Sequence, residues 1–392
     1  MKKLTAMLLA LVMLFALAAC GGGSGKPSAS TNPGTSDQPS ASQNVNPQPG
    51  SDTSSLAGKK VGLMIYSTTT PWAINIIDTV TEFCKQFGME VAVAEAGNPG
   101  EVVSAAENLL AAGIDGMLCA MDGGIANKVM ELCAAKQIYT TFTFTDLLGA
   151  DFYDEIAANE YYAGSINSMD YEAGYAMTQH CIDLGADKWV FLGMPEGTSD
   201  SIDARAKGFK DCLAANGLEL LSEARTYDKV EGAQNLITNF PELNGFGSGL
   251  NAAKNASGAL ETAGKMGSVY MFCYEAAESY VKEYFDAGAL HGCADGVVGH
   301  VELALAQLCC AMDGHKITGS DGKAVGYHIP YLIAYNSDDF SVLIDNSYNG
   351  NYIFNLDEMK SLISVYNPDV TADDYQKQVD NYTIESLQAR RG

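Results

Sequence analysis

Short apolar runs alternate with amphipathic stretches from Lys60 onward, and this alternation constrains the fold more than any other feature of the sequence. The run KVGLMIY (60–66) is continuously apolar, as expected for a strand that is covered on both faces. The next stretch, 72–88, places its apolar residues on one helical stripe. Further strand-like runs are found at 90–95, 115–121 and 138–144. Strands that alternate with helices in this way predict a parallel, doubly wound sheet.

A second series with the same rhythm begins near Tyr171. Its predicted strands are 188–193, 218–226, 245–250, 268–274 and 289–294. The chain is therefore predicted to be an α/β protein with two similar, doubly wound parallel-sheet lobes. A long helix (298–312) and a strand (328–335) follow. The tail, 336–392, shows two or three short helical patterns and several tyrosines, among them Tyr348, Tyr352 and Tyr366.

The first residues of the chain predict export. Lys2 and Lys3 precede an apolar segment that ends in Leu17-Ala18-Ala19-Cys20, a pattern typical of a secretory signal. Small residues before a cysteine resemble a bacterial lipoprotein signal, which implies removal of 1–19 and acylation of Cys20. An ordinary signal peptide with a chance cysteine is the alternative.

Residues 20–57 are rich in Gly, Ser, Pro, Asn and Gln and predict a disordered tether. No later stretch approaches the roughly 20 apolar residues that span a bilayer. We therefore expect an extracytoplasmic protein that is lipid-anchored to the cell membrane.

Charge and motif content exclude several classes of function. The formal net charge of −25 disfavours nucleic acid and anionic lipid surfaces as direct partners. Nine cysteines remain once Cys20 is set aside, and none forms a CxxC pair, so neither a disulfide framework nor a zinc site is indicated. Dinucleotide, Walker, nucleophile-elbow and His-Glu-x-x-His motifs are missing, which indicates no metal, no cofactor and no enzymatic activity.

Four stretches in a fixed order carry a family resemblance. They are IYSTTTPWAINIIDTVTEFCKQFGMEV, VVSAAENLLAAGIDGMLCAMDGGIANKVMELCAAKQI, DARAKGFKDCLAANG and ALETAGKMGSVYMFCYE. From Lys59 to about Tyr335 the chain resembles the sugar-binding branch of type I periplasmic binding proteins, the ribose-binding-protein-like receptors of ABC importers.

The resemblance implies two lobes, a three-segment hinge and a ligand cleft between the lobes. Its crossings map near 166–170, 294–298 and 335–339. The implied N-terminal lobe is 58–168 plus 297–336, and the implied C-terminal lobe with the tail is 169–296 plus 337–392. Parallel α/β sheets bind ligands beyond the carboxyl ends of their strands, which independently favours a cleft between facing lobes.

The loop after the first strand supplies the first implied ligand contacts. Relatives have a polar residue there that bonds a sugar hydroxyl, followed by proline and two aromatics, one of which stacks on the ring. Thr70 and Trp72 match these positions, while Ala73 replaces the second aromatic. A tryptophan that only packs on its own lobe is the alternative for Trp72.

Arg205 in DARAKGF matches an arginine that relatives use to bind ligand hydroxyls. A salt bridge to Asp200 or Asp203 is the alternative. Five acidic residues and one asparagine complete the predicted site, each with helix capping as its alternative. They are Asp122, Asp146, Asp170, Glu275, Asp295 and Asn251.

The sequence departs from the family at the end of the fourth strand. Relatives often carry Asp-Arg there, whereas this chain has Phe144 and Thr145. A cleft with several carboxylates and one arginine disfavours a phosphorylated or carboxylated ligand and favours a neutral sugar or polyol. A cationic or amino-bearing ligand, or a nucleoside, is the alternative.

The resemblance therefore predicts a monomeric solute-binding protein that hands a small sugar-like ligand to an ABC permease in the membrane. A receptor that signals to a membrane kinase or chemoreceptor is one alternative. A secreted enzyme on a two-lobed scaffold is another, against which stands the lack of a recognisable nucleophile–base arrangement.

Overall fold

The structure, a computed structural model, describes residues 55–121, 125–144, 146–274 and 278–391. Within these ranges the predicted alternation of strands and helices produces two six-stranded sheets. Each sheet is flanked by helices and defines one lobe, which we call the first and the second lobe. The predicted fold class, two doubly wound α/β lobes, is confirmed.

The sheet of the first lobe has the strand order β11-β5-β4-β3-β1-β2, and every neighbouring pair is parallel. Its strands are β1 (Lys60–Ile65), β2 (Glu90–Glu95), β3 (Gly116–Ala120), β4 (Tyr139–Thr143), β5 (Tyr162–Ser168) and β11 (Gly326–Ile329). The connecting helices are α1 (Pro71–Gln86), α2 (Val102–Ala111), α3 (Ala126–Ala134) and α4 (Tyr153–Ala157).

The sheet of the second lobe has the order β12-β10-β9-β8-β6-β7, and only β12 runs antiparallel to its neighbour among the described pairs. Its strands are β6 (Trp189–Gly193), β7 (Leu220–Arg225), β8 (Gly245–Ser248), β9 (Tyr270–Tyr274), β10 (Gly292–Asp295) and β12 (Leu332–Ala334). The helices that precede and connect them are α5 (Asp170–Asp183), α6 (Asp200–Ala215), α7 (Lys229–Asn239), α8 (Ala252–Thr262) and α9 (Ser279–Asp286). Both sheets place the first strand of each series beside the second and third, so the lobes share one topology.

Coverage on both faces explains why the strands are continuously apolar. In β1, Leu63 and Ile65 join one core cluster, whereas Met64 between them joins the other. Successive side chains of a strand point to opposite faces. A strand that is buried on both faces therefore needs apolar residues at every position.

The chain passes between the sheets three times. The first passage, at Met169, joins β5 to α5, and the second, at Gly296, joins β10 to α10 (Val297–Met312). Every residue of α10 is buried, and the helix packs on β3, β4 and β5 of the first lobe. The third passage runs through Pro330 and Tyr331 to β12, ahead of the predicted 335–339.

The tail packs on both lobes near these passages. It contains α11 (Ser337–Ser347), α12 (Leu356–Ser361), α13 (Ala372–Asp380) and α14 (Ile384–Arg391). Helix α11 packs on β12, and α13 packs on β11. The Tyr348 hydroxyl donates to Asp295 (3.1 Å), and the Tyr382 hydroxyl donates to the backbone oxygen of Gly296. The tail therefore braces the second passage directly.

All nine cysteines from Cys84 to Cys310 are buried, as their apolar sequence context predicts. Among the described residues, none of the helices combines the length and the hydrophobicity that a membrane crossing requires.

Candidate functional site

A cavity of about 290 Å³ lies between the carboxyl ends of the two sheets, and we call it the cleft cavity. Its lining residues follow strands of both lobes or belong to the passages. Those of the first lobe are Tyr66, Ser67, Thr70, Trp72, Gly97 and Phe144. Those of the second lobe are Met194, Ser199, Ser201, Ile202, Arg205, Lys229 and Leu250, and the passages add Val297 and Tyr331. The cavity thus lies where ligands bind in parallel α/β sheets.

The three threonines before Pro71 have different roles. The Thr68 hydroxyl donates to Glu95 (2.6 Å), and the exposed Thr69 lies within hydrogen-bonding distance of Ser67. Thr70 occupies the N-cap of α1, but its side chain makes no capping bond. Its Oγ1 is buried, lines the cleft cavity and has no hydrogen-bond partner among the described residues. Thr70 is therefore the threonine that is available to a ligand.

Two aromatic rings lie beside this hydroxyl. The rings of Trp72 and Phe144 pack edge to face, with centroids 6.1 Å apart and an interplanar angle of 79°. Phe144 follows β4 and has a φ of 70°, a left-handed conformation that side chains other than glycine rarely adopt. Such strain persists where the surrounding structure demands it, often at binding sites. Phe144 thus provides the second aromatic surface that Ala73 does not.

On the opposite wall, Arg205 lies within a network of protein contacts. Its side chain is 5% exposed, and Nε donates to the Asp170 carboxylate at 2.7 Å. The terminal nitrogens donate to the backbone oxygen of Gly249 (3.1 Å) and to the Tyr331 hydroxyl (2.6 Å). The guanidinium also stacks on the ring of Tyr274, 4.2 Å from its centroid. Arg205 therefore pairs with Asp170, whereas the sequence suggested Asp200 or Asp203.

Close helix packing brings Arg205 to Asp170. Asp170 is the first residue of α5, and Arg205 is in the second turn of α6. The two helices cross at two glycines: a Cβ on Gly174 would lie 2.3 Å from the backbone oxygen of Arg205, and one on Gly208 would lie 2.0 Å from that of Tyr171. Only glycine permits this approach, so these two positions determine the ion pair.

The other predicted residues within the described ranges do not line the cleft cavity. Asp146 accepts a hydrogen bond from His328 (3.0 Å), which lowers the pKa of the carboxyl group, and lies at a second cavity of about 220 Å³ together with Asp170. Asp295 is buried and accepts from Tyr348 and from the Gly296 backbone. Asn251 caps α8 through Lys254 N (3.0 Å), which was the alternative considered for it.

Asp122, Glu275 and Cys20 lie outside the described residues. The carboxylates predicted for the cleft are therefore divided among different places in the described part of the chain. Asp146 and Asp170 line the second cavity, which residues of both lobes enclose, and Asp295 is buried at the second passage.

Sequence reasoning missed several lining residues that directly follow strands. Tyr66 follows β1, Phe144 follows β4, Met194 follows β6, and Lys229 follows β7 after a short loop. The carboxyl-end rule, applied to every strand in turn, would have identified these positions. Tyr331 could not be found in this way because the predicted strand 328–335 included it.

Two hydrogen bonds join the lobes across the cavity. The Tyr66 hydroxyl donates to the backbone oxygen of Thr198 at 3.2 Å, and the Ser201 hydroxyl donates to the backbone oxygen of Phe144 at 2.9 Å. Both bonds connect residues of different lobes, so they can form only when the cleft is closed.

Comparison with protein families matches residues 61–315 to the periplasmic binding protein domain. The match covers more than half of the chain, and the protein belongs to this family. The family resemblance seen in the sequence is thereby confirmed, and with it a binding protein rather than an enzyme. The family also implies an extracytoplasmic location.

Solved structures show the same fold. An ABC transporter periplasmic solute binding protein from Actinobacillus succinogenes 130z, with bound D-allose, superposes with a TM-score of 0.61 at 17% identity over 72% of this chain and 99% of that chain. A solute binding protein from Agrobacterium vitis, bound with α-D-tagatopyranose, superposes with a TM-score of 0.62 at 14% identity and covers 75% of this chain and 100% of that chain. A solute binding protein from Bacillus halodurans C-125, with bound myo-inositol, superposes with a TM-score of 0.59 at 16% identity and covers 74% of this chain and 99% of that chain. A sequence search of the curated proteins gave no match.

Proposed function

We propose that the protein captures a monosaccharide-sized sugar or polyol in the cleft cavity and delivers it to an ABC permease. The observation that carries this proposal is the buried Thr70 hydroxyl, which lines the cavity and lacks a partner among the described residues. A buried hydroxyl without a hydrogen bond costs about 1–3 kcal/mol. A ligand hydroxyl at this position would offset that cost.

The shape and the walls of the cavity support a sugar-like ligand. Its volume of about 290 Å³ is close to the lower end of the range for ligand pockets, roughly 300–1,000 Å³. Trp72 and Phe144 offer apolar faces to the C–H surface of a ring, and Ser67, Thr70 and Ser201 offer hydroxyls. The relatives with bound D-allose, tagatopyranose and myo-inositol accommodate ligands of this size in the same fold.

Lobe closure couples binding to delivery in this proposal. The hydrogen bonds of Tyr66 and Ser201 across the cleft stabilise the closed form, and the bound ligand adds contacts to both walls. A ligand that contacts both lobes shifts the population toward the closed form. Only that form would then dock productively on the permease.

We also propose that acylated Cys20 anchors the protein and that residues 20–57 tether the binding lobes to the membrane. Cells grown with radiolabelled palmitate should label the wild-type protein but not the Cys20→Ala variant. A labelled variant would contradict the anchor at Cys20.

A thermal-shift screen tests the ligand class. Sugars, polyols, nucleosides and amines are added to the purified protein, and a ligand of the folded state raises the Tm by mass action. The Thr70→Val variant keeps the shape of the side chain but lacks the hydroxyl, so we expect a smaller shift for the same sugar. If only amines or nucleosides raise the Tm, the sugar proposal is wrong.

Uptake of the radiolabelled ligand separates delivery from signalling. Cells without the protein should import the ligand more slowly, and the intact chain should restore import. Unchanged uptake together with a lost transcriptional or chemotactic response would show that the protein is a sensor.

A further inference from the structure

Lys229 is a charged residue of the cleft cavity that the proposed function does not yet use. It is the first residue of α7, is half-buried and lines the cavity. No salt bridge or hydrogen bond of its side chain is found among the described residues. A cation in the first turn of a helix is unfavourable for the macrodipole, so local helix stability does not explain a lysine here.

The described walls of the cavity carry an excess of positive charge. Arg205 and Lys229 are their charged residues, and neither Asp nor Glu is among the described lining residues. Asp170 lies behind Arg205 and compensates the guanidinium charge at 2.7 Å. Among the described lining residues, Lys229 is therefore the charged residue without an ion-pair partner.

Helix α6 begins at the same wall of the cavity. Ser199 is its N-cap, and Ser201 and Ile202 of its first turn line the cavity. The partial positive charge of this helix end is compensated by Asp200 and Asp203 of the same turn, so the charge of Lys229 carries the inference by itself.

We infer that the ligand is a sugar acid: a monosaccharide-sized polyhydroxy compound whose single carboxylate binds the Lys229 ammonium. This inference rests on the proposed function and narrows its ligand class. The neutral ligand expected from the sequence rested on a cleft with several carboxylates, and the described walls have none. A carboxylate matches one uncompensated ammonium, whereas a phosphate monoester carries a charge of about −1.5 to −2.

Calorimetric titration of the purified full-length protein tests the inference. The probes are D-glucuronate, D-galacturonate and D-gluconate, their neutral counterparts D-glucose, D-galactose and D-glucitol, and D-glucose 6-phosphate. At least one acid should bind about tenfold or more tightly than its neutral counterpart and than the phosphate ester, and the affinity should fall as salt is added.

Lys229→Gln should weaken binding of the acid by about 10- to 100-fold, the range expected for loss of a hydrogen bond to a charged group, and leave neutral sugars unaffected. Lys229→Arg should retain most of the preference for the acid. Lys188→Gln is the matched control, because this substitution removes the same charge far from the cavity. Lys188 is exposed just before β6, at the opposite end of the same sheet.

The outcomes separate this inference from the proposed function. If neutral sugars bind as tightly as the acids, or if Lys229→Gln weakens both equally, the inference is overturned and the sugar-binding function stands. If no sugar, polyol or sugar acid binds while amines or nucleosides do, both proposals are wrong.

Discussion

The two walls of the cleft cavity use their polar groups in opposite ways. On the first lobe, Thr70 presents a buried hydroxyl without a described partner, next to Trp72. On the second lobe, Arg205 is held by Asp170, Gly249 and Tyr331 before any ligand arrives. Hydrogen-bonding capacity is thus available on one wall and largely committed on the other. A residue at a position that binds ligand in relatives can therefore have its hydrogen-bond donors already committed to protein acceptors.

Substitution of Arg205 is expected to have the largest effect. Arg205→Met leaves the buried Asp170 carboxylate without its cation, and loss of one partner of a buried ion pair costs about 3–5 kcal/mol. Urea unfolding should therefore show a large loss of stability without ligand. The double variant Arg205→Met with Asp170→Leu should recover part of it. If the Arg205→Met protein has normal stability and reduced ligand affinity, Arg205 is a ligand-binding residue like Thr70 and does not serve the stability of the fold.

The stability of the protein is expected to depend on pH through His300, which connects two of the passages. Nδ1 of this buried histidine bonds Ser168 at the first passage (3.0 Å), and Nε2 bonds the Pro330 oxygen at the third (3.1 Å). Burial lowers the pKa of His300 from 6.5 to about 4. Between these values the unfolded chain binds more protons, so this contribution is complete above pH 6.5 and is lost as the pH falls toward 4.

The contribution of His300 to the free energy of unfolding should fall by about 3 kcal/mol at pH 4 relative to pH 7.5. Urea unfolding of the wild type and of His300→Gln at both pH values measures it, because the variant should lack this part of the pH dependence. His315→Gln, which removes an exposed histidine, should behave as the wild type. Equal pH dependence in all three proteins would show that His300 does not cause the loss of stability at low pH.

Trp72→Ala tests the first wall directly. The half-buried ring lines the cavity, so its loss should weaken ligand binding by about 2 kcal/mol, roughly 30-fold, and affect unfolding less. Calorimetric titration and urea unfolding give the two numbers. Ile74→Ala, at a position that is 43% exposed on the same helix, is the control. Equal losses of affinity and stability would favour a packing role for Trp72.

The smallest expected effect belongs to one of the two hydrogen bonds that join the walls. Tyr66→Phe removes the hydrogen bond to Thr198 and should weaken binding by about 0.5–1.5 kcal/mol because the closed form loses this bond. Small-angle scattering should then show a larger open fraction at subsaturating ligand, while the free energy of unfolding without ligand stays unchanged. An unchanged affinity would mean that the bond does not contribute to closure.

The sequence alone determined the fold class and placed two residues, Thr70 and Trp72, on one wall of the cavity. Strands buried on both faces need continuous apolar runs, and helices on a sheet need one apolar stripe, so the α/β alternation is readable without a structure. Thr70 and Trp72 follow a strand within a single loop, and their placement beside the cleft depends on that local geometry.

Only the tertiary structure decided the remaining features. Arg205 meets Asp170 because two glycines let α5 and α6 approach closely. Phe144 meets Trp72 because β4 and β1 are parallel strands whose carboxyl ends lie at the same edge of one sheet, with β3 between them. These contacts join residues far apart in the chain. Hydrogen-bond partners and charge compensation depend on such contacts rather than on local pattern, so the sequence could propose the polar residues but not state which of them the protein itself occupies.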